Sequence, residues 1–217
     1  MQQECYMVPG VPEEAKSDQH TENSLVRHHQ VVYTRREGAS EAIGFEQRMG
    51  IKILNRDWSD KRVRKCIYRI LQSSNLCSMS TVTKANRAHI NVAYFAYTKK
   101  GRLEIFYISY PDSLHSKNLL SNPSMGMAIY GSHQEWGGHD RGMQLIGSCE
   151  EAKGATLRKA ESIYGTRFPR YSSWKKQFTE EKGGFQLRSY RFIPTVAKFL
   201  DESEKEYGDA LVVVRME

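Results

Sequence analysis

Five β-rich segments follow one another in the middle of this chain, at residues 76–82, 88–97, 103–109, 125–131 and 141–150. The gaps between the first three are short and carry turn chemistry: Asn86-Arg87 in one, Lys99-Lys100-Gly101 in the other. Strands joined this tightly pair antiparallel, because a parallel partner needs a crossover of about a dozen residues or more. Helical patterns lie outside the run. Val63, Ile67, Ile70 and Leu71 recur at helical spacing after the capping residues Asp57-Trp58-Ser59-Asp60, and Asn75 ends that helix. Pro111-Asp112-Ser113 opens a short helix with Leu119-Leu120 as its apolar face and Asn122-Pro123 as its stop. Helices are expected at 155–164 and 172–178, and strands at 185–192, 196–200 and 211–215. There is no strand–helix–strand alternation and no GxGxxG, so a dinucleotide-binding Rossmann domain is not expected. The pattern reads as α+β, mainly β: an antiparallel barrel with peripheral helices.

The 217 residues suffice for one sizeable core. Residues 1–45 are rich in Glu, Gln, His, Ser and Thr, with short apolar clusters only; they read as an N-terminal extension, disordered or laid across a partner subunit. Residues 46–217 form the expected domain. No stretch approaches the roughly eighteen apolar residues of a membrane helix. The first residues lack the basic-then-apolar order of a secretory signal, so a cytoplasmic location is the expectation. Cys5, Cys66, Cys77 and Cys149 form no CxxC pair and read as reduced, mostly buried thiols. Net charge is +7, unevenly spread: residues 1–50 carry five cations against eight carboxylates, the remainder 27 against 17. A basic body suits nucleic acid or a phosphorylated ligand. With no block of cations interleaved with aromatics, nucleic acid is the weaker reading.

Two stretches carry a resemblance. One is Ser109-Tyr110-Pro111-Asp112-Ser113-Leu114-His115-Ser116-Lys117-Asn118-Leu119 followed by Asn122-Pro123; the other is Arg141-Gly142-Met143-Gln144-Leu145-Ile146-Gly147. In their order among the strands they resemble the pyridoxamine 5′-phosphate oxidase-like, FMN-binding split-barrel superfamily, over residues 57–215. Tyr164-Gly165-Thr166-Arg167-Phe168-Pro169 resembles a less characterised branch of it. The resemblance implies a Greek-key split β-barrel and a homodimer with two cofactor sites at the subunit interface. It also implies a flavin phosphate on the turn and helix after the third strand, where Ser109, Ser113, His115, Lys117 and Asn118 fall. A helix N-terminus favours such an anion. Arg141 and Gln144 would border the ring system, and Trp136 would stack on it or plug the interface.

The sequence departs from the phosphate oxidases at two places. Their second strand carries an Arg and a Leu-Lys pair, where this chain has Asn91 and Phe95-Ala96, and His115 stands where they carry the lysine of the turn. FMN, haem and deazaflavin F420 are therefore all open as cofactors. The leading expectation is an FMN-dependent oxidoreductase acting on a small molecule, with His115, Tyr94 and Arg141 as candidates for orienting substrate. A haem-binding split barrel, with His115, His133 or His139 as iron ligand, is the alternative. A non-catalytic cofactor-binding or regulatory protein is the third reading.

Overall fold

The computed structural model describes residues 50–55, 57–204 and 211–216, and the expected extension at 1–45 lies outside them. Its elements are β1 (Ile51–Ile53), α1 (Asp60–Ser73), β2 (Leu76–Val82), β3 (Ala88–Tyr97), β4 (Ile105–Ser109), α2 (Leu114–Ser121), β5 (Ser124–Tyr130), β6 (Arg141–Glu151), α3 (Gly154–Arg167), α4 (Tyr171–Lys182), β7 (Arg188–Asp201) and β8 (Val212–Met216). All pairings are antiparallel, in the order β1-β8-β7-β4-β3-β2-β5-β6, and β6 pairs again with β7. Six strands thus close a barrel, and β8 and β1 extend it from β7. The chain leaves β4 and re-enters the sheet three places away, as β5 beside β2, which makes the topology a Greek key. Closure removes the exposed edges that an open sheet would present.

The helix read from residues 57–75 is α1. The Ser59 side chain accepts from the Arg62 N–H at 3.4 Å, and Val63, Cys66, Ile67, Ile70 and Leu71 are buried on one face. That stripe joins Met79, Phe95, Tyr107, Phe192 and Phe199 in the main core. Truncating one of these aromatics to Ala would cost about 3–5 kcal/mol. Trp58 packs edge-on against Phe199, with ring centroids 6.2 Å apart. Cys66, Cys77 and Cys149 are free and buried, and burial pushes their thiols up to about 11, 12 and 12. They stay protonated and unreactive at neutral pH.

One expectation is corrected. The strands read separately at 185–192 and 196–200 are a single fourteen-residue strand, β7. Pro194 has no N–H to give, yet the strand continues through it, because the register with β6 shifts between Ile146 and Gly147. Gly147 faces Pro194 there, and a Cβ on it would sit 2.1 Å from the Ile193 carbonyl oxygen. Only glycine tolerates that approach.

A candidate cofactor site on the turn before α2

Three residues of the Ser109–Asn118 stretch meet at one point. Ser109 ends β4, Ser113 is the N-cap of α2, and His115 lies in its first turn. His115 Nε2 sits 2.7 Å from Ser109 Oγ and 3.1 Å from Ser113 Oγ. Ser113 has one hydroxyl proton, and Tyr110 O and Ser116 Oγ already lie within 2.8 and 2.9 Å of it. Proton count therefore favours the tautomer in which Nε2–H donates to the serines. That leaves the Ser109 hydroxyl proton free to point at a ligand.

His115 is buried, and its pKa is lowered, first by that burial and then by His89. The His89 ring is parallel to it with centroids 6.2 Å apart. His89 pairs with Thr81, whose hydroxyl accepts from Asn118 Nδ2 at 3.0 Å, so α2 is tied to the β2–β3 ladder beside the cluster. Tyr107 lines the other side, 6.4 Å from the His115 ring centre. His115 is thus a neutral imidazole at pH 7 and supplies a hydrogen bond rather than a charge.

Asn91 lies two residues beyond His89 on β3, so the two side chains share a face. Its Oδ1 is buried and finds no donor among the described residues. A buried acceptor without a partner costs about 1–3 kcal/mol, and it invites an N–H from outside the chain. A donor at Ser109 and an acceptor at Asn91 suit a flavin ring edge, which alternates carbonyls with an N–H. The exposed Lys117 and Lys84 flank a cavity of about 620 Å³ alongside Asn118 and Leu114, which Ser109, Ser113, His115 and Asn91 do not line.

The remaining expected site residues lie elsewhere. Arg141 Nε donates to Asp201 Oδ1 at 3.1 Å and Nη2 to Ser203 at 3.3 Å, so its charge is compensated at the end of β7. Gln144 is exposed on β6, opposite Ala128. His133, Trp136 and His139 are exposed on the β5–β6 loop, Trp136 completely. Tyr94 is exposed on β3, edge-on to Phe168 at 5.8 Å. Among the described residues, no three His, Cys, Asp or Glu side chains form a group that could hold a metal ion. His89 and Lys84 were missed in the sequence. His89 could have been found from its period-two spacing to Asn91; Lys84 carried no signal beyond its place in a turn.

A closed Greek-key barrel with a polar turn between β4 and α2 has the architecture of a split barrel. The family model of pyridoxamine 5′-phosphate oxidase matches residues 64–187, more than half the chain, and the protein belongs to that family as a distant member, not as the oxidase itself. Similar solved structures include a Clostridium acetobutylicum protein related to general stress protein 26 of the pyridoxinephosphate oxidase family (9% identity, 72% of this chain and 96% of that one, TM-score 0.53). Another is a heme binding protein from Mycobacterium smegmatis (13% identity, 66% and 54%, TM-score 0.52), of which this chain spans about half. A third is a conserved hypothetical protein from Mycobacterium tuberculosis (14% identity, 70% and 91%, TM-score 0.52). At these identities the likenesses establish fold alone. No curated protein matches the sequence.

Proposed function

We propose that this protein is an FMN-dependent oxidoreductase acting on a small molecule, and that it works as a homodimer with cofactor sites at the subunit interface. The carrying observation is the half-buried Ser109–Ser113–His115 cluster, together with the orphaned Oδ1 of Asn91 on the strand face of His89. Bound flavin would supply the electron or hydride transfer. The chain's own groups bind and orient: Ser109 donates, Asn91 accepts, His115 holds both serines in place, and Lys84 and Lys117 offer charge to a phosphate. No side chain in this set is a cation buried against the ring, so the protein contributes position more than charge.

The dimer is supported by a bare sheet face. Ile90, Val92 and Tyr94 of β3 are 68%, 59% and 58% exposed, and Ile146 of β6 is 52% exposed. Ser78, Ser80, Gly126 and Ala128 lie between them in the register, leaving a shallow apolar trough. Monomers seldom leave so continuous a patch open. A second copy of this chain is the occupant proposed.

A haem-binding reading stands second, on the stacked imidazole rings of His89 and His115. One experiment separates the two: the visible spectrum of the purified protein, with mass spectrometry of whatever leaves it on denaturation. Flavin bands and released FMN, both lost in Asn91→Leu, are expected. A Soret band without flavin would hand the site to haem; F420 in the mass spectrum would keep the site and change its cofactor.

A further inference from the structure

We propose a second ligand site, for a small phosphate-bearing anion, at the end of the barrel away from the Ser109 turn. There the β3–β4 hairpin, the C-terminus of α1 and helix α3 enclose a cavity of about 580 Å³. Tyr97 pairs with Ile105 at the hairpin end of β4, and Ser109 lies at the other end of that strand, so the two sites are separate. The cavity falls within the roughly 300–1,000 Å³ range of small-molecule sites.

Its charge is one-sided. Lys99, Lys100, Lys159 and Arg167 line it, with Tyr97 and Ile163 as an apolar wall. Lys159 is compensated by Glu104, which also takes Arg191. Lys99, Lys100 and Arg167 pair with no carboxylate among the described residues. The hairpin that carries the two lysines is firmly built. Thr98 Oγ1 donates to Arg102 O at 2.7 Å and accepts from Glu104 N at 3.0 Å, and Tyr68 Oη donates to Lys99 O at 2.8 Å.

Arg167 is the second observation. Its guanidinium is half-buried, 4.6 Å from the ring centres of both Phe95 and Tyr97. Nη2 donates to Leu71 O at 3.0 Å and Ser74 O at 2.6 Å, at the end of α1. Those bonds cap a helix C-terminus, which a cation suits. Capping leaves two things unexplained. Nε is buried with no acceptor, and every acceptor the group does reach is neutral. A half-buried cation without a counter-charge carries a desolvation cost, and two further uncompensated cations beside it add to the repulsion. An anion in the cavity would relieve both. A concave cavity with an apolar wall favours a small phosphate ester or pyrophosphate over a nucleic-acid strand, which needs an open track.

The test is calorimetric titration of the full-length protein, as purified, with sodium pyrophosphate at low ionic strength. One saturable site per chain is expected, weakening as salt is raised. The double variant Lys99→Glu/Lys100→Glu, on an exposed hairpin tip that leaves the core untouched, should weaken it by about tenfold or more. His115→Ala and Lys117→Glu should leave it within about twofold. Absence of a saturable site, or equal binding in the hairpin double variant, overturns the proposal. So does loss confined to the His115 or Lys117 variant, which would place the anion at the turn. DNA binding that depends on Lys99 and Lys100 without a pyrophosphate site would overturn it in favour of nucleic acid.

Discussion

The outward face of strand β3 has two unlike halves. Near its C-terminal end Ala96 is fully buried, with Tyr164 and Tyr171 packed over it from α3 and α4. Farther back, Ile90, Val92 and Tyr94 are larger, more apolar and bare. Size and hydrophobicity would place them the other way round. The covered half is closed by this chain's own helices, and the small Ala96 lets them approach. The bare half keeps large apolar side chains because, on the reading proposed here, another copy covers them.

Substitutions can break that comparison. Ala96→Asp puts a carboxylate where no water reaches and should abolish folding, a loss of about 4 kcal/mol or more, seen as a missing cooperative transition in urea. A folded, cooperative variant would mean the covered half is looser than described. Arg167→Met, on the helix that covers this half, removes both bonds to the end of α1. It should lose about 1–3 kcal/mol of stability in the same assay, with partial recovery in Arg167→Lys. Val92→Asp on the bare half should keep the native circular dichroism spectrum and instead sediment as a monomer, with its cofactor content reduced. An unchanged sedimentation profile would remove the dimer from this face.

The smallest effect concerns pH. Burial keeps the folded His115 pKa below the ordinary imidazole value of about 6.5. Below that value the unfolded chain binds a proton that the native chain resists. Stability should therefore fall as pH drops through about 6.5 towards the folded pKa, and the loss should level off beneath it. His115→Gln should flatten this slope in denaturation midpoints measured across the window. A slope that persists in the variant would assign it to other groups.

Much of the fold was legible because it is local. The α1 stripe of Val63, Ile67, Ile70 and Leu71, the Lys99-Lys100-Gly101 turn and the Asn122-Pro123 stop all act over a few residues. Ser109, Ser113 and His115 were legible as a cluster for the same reason: a strand end and one helical turn bring them together. Phe95 is core, and Tyr94, its neighbour, points outward as alternation requires. β7 was misread as two strands, because Pro194 signals a break and its tolerance depends on Gly147, 47 positions earlier.

The sequence by itself determined the antiparallel strands, the capped first helix and the polar turn, since propensity, spacing and turn chemistry are short-range. Tertiary structure alone decided which charges are answered. Arg141 looked available for a cofactor until β6 closed on β7 and brought Asp201 to it. Arg167 gave no sign of being unanswered until α3 settled against α1 and the hairpin. Whether a charge has a counter-charge depends on which distant strands and helices become neighbours, and that is settled when the barrel closes.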